Sequence, residues 1–299
     1  MSRVIVIVNP GSGSFTEEFR ALIENELTAR NVEFAIRETD PENGGSEIVQ
    51  EAIDEGVSHL IACGGDGTIM SVVNGIATAV ENNAEPPLLS IIPGGTANLL
   101  AGALGIPSDV KEAVGVAIEG RERTIDLGRC GEHFFALGLG MGLTERLVSQ
   151  TSAQEKEKIG KLAYAKAMLA EMGDKPTTFH FKLDDKAKQS TRGVAIVIAN
   201  AGHIGNGLSF APDAEMDDGL LDLCVLHRFY FRDIVRMIWR SLWGNLPEDR
   251  VVSFFQAKRV EIESNPPLDL QVDGEVVDMT TPLVAQVLPR ALTVRVPAT

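Results

Sequence analysis

At 299 residues with 44% apolar content, the chain can build one large or two ordinary domains around a sizeable core. Its formal charge of −15 and pI near 4.8 exclude nucleic acid as the main partner and oppose general adhesion to anionic membranes, so any membrane contact should be local. Cys63, Cys130 and Cys224 stand singly in apolar runs, which predicts buried reduced thiols in a cytoplasmic protein and excludes a disulfide framework or a zinc site. No signal peptide is visible, nor an apolar run of the ~20 residues that a membrane-spanning helix needs.

Val4-Ile5-Val6-Ile7-Val8 is continuously β-branched, as suits a strand covered on both faces of a parallel sheet. It ends in the glycine-rich loop Asn9-Pro10-Gly11-Ser12-Gly13. Ser14 with Glu17 reads as a capping box, and Phe15, Phe19, Leu22, Ile23 and Leu27 form a helical stripe behind it. The loop lacks the Gly-Lys-Ser/Thr ending of a P-loop and the Gly-x-Gly-x-x-Gly spacing of a dinucleotide fold. Val32, Phe34 and Ile36 alternate into a second strand ending at Arg37-Glu38-Thr39, and a helix follows a turn-rich stretch to about Glu55. The third strand, His59 to Ala62, delivers Cys63-Gly64-Gly65-Asp66-Gly67-Thr68. Three glycines let the backbone turn sharply and approach a ligand, and N–H groups at a strand-to-helix turn suit phosphate. Asp66 would repel a bare phosphate, so loop, Asp66 and Thr68 together point to a nucleotide phosphate with a bridging cation. A fourth strand, Leu89 to Ile92, ends in Pro93-Gly94-Gly95-Thr96-Ala97-Asn98. Three glycine turns thus fall at carboxyl strand ends, the ligand edge of an open α/β sheet.

Near Glu122 to Asp126 the pattern changes to alternating strands: Arg123–Leu127, His133–Leu137, Thr177–Leu183, Val194–Ala199, Leu220–Leu226, Val251–Phe255 and Arg259–Glu263. Such a series reads as a β-rich, sandwich-like domain. Two helices interrupt it, Lys158 to Met172 and about Phe231 to Trp243. On the second, Arg228, Arg232, Arg236 and Arg240 repeat at i+4 beside Trp239 and Trp243. The favoured reading is a helix packed on the sandwich with snorkelling arginines; the other is contact with a lipid headgroup layer.

Asn9-Pro-x-Ser-Gly13, Gly64-Gly-Asp-Gly-Thr68 and Pro93-x-Gly-Thr-x-Asn98 resemble, in this order, the diacylglycerol kinase catalytic-domain family of lipid kinases, its bacterial soluble members above all. The glycine core is also similar to that of NAD kinases, while Pro-x-Gly-Thr-x-Asn favours the lipid kinases. The likeness continues through Gly160-Lys-Leu-Ala-Tyr164, Ala211-Pro-Asp-Ala214, Asp218-Gly219-Leu220, Gln271-Val-Asp-Gly-Glu275 and Thr281-Pro282. It implies an α/β nucleotide domain over 1–124, to which 290–299 returns, and a β-rich lipid-substrate domain over 125–289, with the substrate cleft between them.

The resemblance implies ATP and Mg²⁺ as cofactors and a lipid alcohol, met transiently at a membrane surface, as substrate. The nucleotide would lie on Asn9, Pro10, Gly11, Ser12, Gly13, Thr39, Gly64, Gly65, Asp66, Gly67, Thr68, Gly95, Thr96 and Asn98. Asp66, Asp273 and Glu275 would be catalytic; one of the last two removes the lipid hydroxyl proton, and which one stays open. The Asp218 carboxylate with the carbonyls of Glu215 and Leu220 would hold a structural Mg²⁺. Two departures stand out: Met70-Ser71 where relatives commonly carry Asn-Glu, and Leu99 where they commonly carry Asp. They leave room for an alcohol other than diacylglycerol. The other readings are a soluble-substrate kinase similar to NAD kinase, and an inactive nucleotide- or lipid-binding regulator. A homodimer is left open.

Overall fold

The computed structural model describes residues 4–12, 15–40, 44–142, 176–203, 211–227 and 252–298. Gly13, Ser14, the two helices expected near 158–172 and 231–243, and the basic stripe from Arg228 lie outside the described residues. The chain divides into two compact units, Met1–Leu127 with Pro289–Thr299, and Gly128–His203 with Leu208–Leu288.

In the first unit, β1 (Val4–Val8) is buried along its whole length. It pairs in parallel with β2 (Phe34–Glu38) on one side and β3 (His59–Gly64) on the other. β4 (Leu88–Pro93) follows β3 in parallel register, and the last strand, β16 (Leu283–Val296), joins β4 through Val294 opposite Leu89. The order β2-β1-β3-β4-β16 reverses direction at β1, because the chain steps outward to β2 and then back across to β3. Right-handed crossovers require helices on both faces of such a sheet. Accordingly α1 (Glu17–Ala29) packs with α5 (Val110–Glu119), while α2 (Ser46–Asp54) packs with α3 (Asp66–Glu81). Ile23 and Leu27 of the α1 stripe are buried. The cap of α1 differs from the sequence expectation: Thr16, not Ser14, is the N-cap, and its hydroxyl accepts from Phe19 N at 3.1 Å. Thr16 has the same chemistry as Ser14 and lies directly before the first helical residue, which sequence spacing alone does not decide. The short α4 (Leu99–Ala103) follows β4.

The second unit is a sandwich. One sheet runs β12 (Val252–Ala257), β11 (Leu221–Leu226), β10 (Ala195–Ala199), β7 (Gly138–Gly142), β14 (Asp269–Val272), β15 (Glu275–Thr280). The other contains β13 (Arg259–Asn265), β8 (Thr177–Leu183) and β9 (Gln189–Gly193), with the first part of β16 paired to β13. β5 (Arg121–Cys130) and β6 (His133–Phe135) form a hairpin. Alternate residues face inward, as in any half-buried strand: Leu139 and Met141, Ile196 and Ile198, and Leu221, Leu223 and Val225 meet Phe179, Phe181, Val260 and Ile262 in one core. Burying a side chain of this size contributes roughly 1.5–3 kcal/mol, so this continuous core is the main stabilising element of the unit.

β7 had no counterpart in the sequence expectation. Its Gly-Leu-Gly-Met-Gly composition is unusual for a strand, yet it is fully buried between β10 and β14. A Cβ on Gly138 would lie 2.8 Å from Ile198 O, and one on Gly142 2.6 Å from Val194 O. The glycines permit close backbone approach at the centre of the sheet.

All three thiols are buried, as expected. Burial pushes Cys130 up to about 11 and Cys224 to about 12, and Cys63 higher still; none is a reactive thiolate. Among the described residues no helix is long and apolar enough to cross a membrane.

Candidate active site

Two of the three glycine turns of the first unit are shaped by an asparagine side chain. Asn9 Oδ1 accepts from Gly11 N at 2.9 Å, and Ser12 N donates to Asn9 O at 3.2 Å, folding Asn9 to Ser12 into a closed turn after β1. After β4, Asn98 accepts from Gly95 N at 2.8 Å and donates to Gly95 O at 2.7 Å. Both asparagines therefore hold loop backbone with their amide groups. Asn98 adopts a left-handed conformation (φ 47°), which asparagine tolerates better than most residues. The Gly64–Thr68 and Pro93–Asn98 turns touch: Gly94 N donates to Gly64 O at 2.8 Å, and a Cβ on Gly95 would stand 2.6 Å from Gly65 Cα. Any larger residue at 95 would separate the two turns.

Asp66 is the first residue of α3, with Gly65 as N-cap and no side-chain cap bond. First-turn N–H groups have no intrahelical acceptor, and the helix dipole there favours negative charge, so this helix start suits an anion. The Asp66 carboxylate points to the next turn and accepts from Leu99 N at 2.6 Å. Burial nonetheless holds its pKa above the usual carboxylate range, outweighing the backbone N–H donors around it, first among them Leu99. Thr68 is buried and Thr96 is exposed. Thr39, also buried, ends its strand with its N–H on Val8 O at 2.8 Å, beside the first turn. Asn9 to Ser12, Thr39, Gly64 to Thr68 and Gly95 to Asn98 therefore gather at the carboxyl ends of β1 to β4. Two of these turns flank the point where the strand order reverses, the position at which open α/β sheets bind ligands.

In the second unit, Asp273 and Glu275 share the β14–β15 turn but have different surroundings. Asp273 sits at φ 46°, and its carboxylate accepts from Ala136 N at 2.8 Å, Leu137 N at 2.9 Å and Gly138 N at 2.8 Å. Its own N–H donates to Gly138 O at 2.9 Å. The side chain fastens the turn to the segment between β6 and β7. Glu275 is exposed, and its side chain makes no hydrogen bond or ion pair among the described residues.

The Glu215–Leu220 segment is a tight turn in which Asp218 Oδ1 accepts from Leu220 N at 2.9 Å and Gly219 has φ 76°. The sequence reading gave no role to two acids here, Asp213 and Asp222. Burial, with the nearby charges of Asp218 and Asp213, pushes Asp222 up to about 6 against a hydrogen bond from Gln256. Among the described residues no three His, Cys, Asp or Glu side chains converge in a ligating group. A metal on this segment would therefore have to use backbone carbonyls beside carboxylate, a donor set that suits a hard cation.

Residues 3–130 match the diacylglycerol kinase catalytic domain, and residues 140–296 match the YegS C-terminal NAD kinase beta sandwich-like domain. A Bacillus subtilis protein named diacylglycerol kinase is 31% identical over 279 residues, covering 92% of this chain and 90% of its own. A Chromohalobacter salexigens protein named probable lipid kinase YegS-like is 32% identical over 243 residues, covering 81% of this chain and 77% of its own. Among solved structures, a diacylglycerol kinase from Bacillus anthracis superposes with a TM-score of 0.82 at 26% identity, covering 99% of this chain and 97% of that one. An Archaeoglobus fulgidus NAD kinase, at a TM-score of 0.52 and 12% identity, shares the fold. With matches running from residue 3 to residue 296 and relatives above 30% identity along most of their length, the chain belongs to the diacylglycerol kinase family and is a lipid kinase.

Proposed function

We propose that the enzyme uses ATP and Mg²⁺ to phosphorylate the hydroxyl of a lipid alcohol, with Glu275 as general base. The observation that supports this best is the gathering of three glycine turns at the carboxyl ends of β1, β3 and β4. Their backbone N–H groups, with the exposed Thr96 hydroxyl, hold the triphosphate as a preorganised anion site. Mg²⁺, when bound, neutralises phosphate charge. Asp66 beside the phosphate turn offers it a carboxylate, and Asp218 with the Glu215 and Leu220 carbonyls suits a second, structural ion.

Glu275 takes the proton from the acceptor hydroxyl as that oxygen bonds to the γ-phosphorus. The bond from phosphorus to the β–γ bridging oxygen breaks, and ADP leaves with its electron pair. Asp273 is the positioning residue. With three backbone donors on its carboxylate, it fixes the turn that carries Glu275 and is the poorer base. Leu99 is half-buried, with its N–H on Asp66, where the motif resemblance leads to the expectation of a second acid. That apolar neighbour directs the substrate search to lipid alcohols beyond diacylglycerol.

ADP release with ATP and Mg²⁺ tests this reading, comparing mixed micelles of lipid extract with soluble metabolites such as NAD. Turnover with lipid alone is expected, and mass spectrometry of the product names the alcohol. Turnover with NAD would replace this reading by a soluble-substrate kinase; ATP binding without turnover on either would replace it by a regulator.

A further inference from the structure

Ser71 lies on α3 one turn beyond Thr68. Its hydroxyl joins two segments distant in sequence: it donates to Thr68 O at 3.1 Å and accepts from Gly45 N at 2.7 Å. Ser46 Oγ donates in return to Ser71 O at 2.8 Å. Gly45 is the N-cap of α2 and makes no side-chain cap bond, so a serine on another helix satisfies its N–H. Upstream, Gly44 N donates to Asp40 O at 3.2 Å, and Thr39 N to Val8 O at 2.8 Å. A series of hydrogen bonds therefore runs from the end of β1 through Thr39, Asp40, Gly44 and Gly45 to Ser71 and Thr68. It links the segment after β2 to the glycine turn after β3.

This junction has little slack. A Cβ on Gly45 would stand 2.7 Å from both Ser71 Oγ and Val72 Cγ2, and one on Gly75 would stand 2.9 Å from Ser46 Cα. A side chain longer than serine at 71, directed the same way, displaces the 44–46 segment. The small residue at 71 and the glycines at 45 and 75 are thus one fitted set.

We infer that Ser71 is a positioning residue for the nucleotide, setting the spacing between the Gly44–Gly45 backbone and the Gly64–Thr68 turn. This rests on the nucleotide reading of those turns given above. Ser71 acts on binding and not on proton transfer, because it reaches only backbone atoms.

The test titrates the full-length chain with ATP and Mg²⁺ by calorimetry and measures KM for ATP and kcat, in the wild type, Ser71→Ala and Val49→Ala. Val49 is fully buried where α2 meets α3, and a Cβ on Gly75 would lie 3.0 Å from its own Cβ. Its truncation loosens the same helix pair without touching the hydrogen bonds. Ser71→Ala should raise the Kd and KM for ATP about five- to tenfold, the equivalent of one hydrogen bond, with kcat changed by less than about twofold. Val49→Ala should lower the melting temperature further and yet leave the Kd within about twofold. Unchanged ATP affinity in Ser71→Ala, or an equal loss in Val49→Ala, would overturn the inference. Absence of saturable ATP binding in the wild type would overturn the nucleotide reading itself, and is seen before any variant is compared.

Discussion

Asp66 at the start of α3 and Asp273 in the β14–β15 turn each precede a glycine, and each accepts hydrogen bonds from backbone far away in the chain. Asp66 receives Leu99 N, and burial still holds its pKa above the ordinary range. Asp273 receives three N–H groups spread over both oxygens. The difference is one of balance: backbone N–H groups surround both carboxylates, but at Asp66 desolvation outweighs them. A carboxylate with three backbone donors has its charge compensated and serves as a fastening. One whose desolvation exceeds its hydrogen bonding is a charge held at some expense in stability, as functional sites commonly are.

The largest effect should come from the neighbour of the fastened acid. Glu275→Gln is expected to lower kcat at least about a hundredfold while the melting temperature stays unchanged, since Glu275 is exposed; full activity would return the base to Asp273. Next comes Asp273→Asn, which sets an NH₂ group against backbone donors. Denaturant unfolding should find a loss of about 1–3 kcal/mol, and no loss would mean that the turn is held otherwise. A third aspartate–glycine turn, Asp218-Gly219, sharpens the comparison, since its acid receives Leu220 N at 2.9 Å and stands near other carboxylates. Mg²⁺ at about five times its Kd should add about 1 kcal/mol of stability in the wild type. In a thermal-shift titration Asp218→Asn should lose that gain, and an unchanged shift would place the ion elsewhere.

The smallest effect has the opposite sign to that of Asp273→Asn. Asp66→Asn keeps an acceptor for Leu99 N and removes a desolvated charge, so stability at neutral pH should rise by less than about 1 kcal/mol, with the partly exposed site screened. Because the folded pKa of Asp66 lies above its unfolded value, its contribution to stability is full below the unfolded pKa and falls as pH rises through the folded pKa. The gain from Asp66→Asn should therefore shrink as pH is lowered toward about 4. Phosphotransfer should be lost in the same variant; a stable, fully active Asp66→Asn would show the two acids to be equivalent fastenings.

Much of the first unit was legible because its signals are local. The unbroken β-branched run of β1 announces a strand buried on both faces, and Asn9 and Asn98 form their turns with glycines two and three residues away. Motif order then pointed to the family. The second unit was less legible where composition and context disagree. β7 carries glycine at 138, 140 and 142 and is nonetheless a central strand; at 138 and 142 the backbone of Ile198 and Val194 comes too close for a side chain.

The sequence by itself determined where strands end in glycine turns and which acids stand in them, since periodicity and glycine demand act over a few residues. Tertiary structure decided what each acid and hydroxyl does. Asp66 is answered by a residue 33 positions away, Asp273 by donors about 135 positions away, and Ser71 by a glycine 26 positions away. Whether a buried polar group is a fastening, a held charge or a spacer depends on its partners. Those partners are brought together only by the packing of whole helices and sheets.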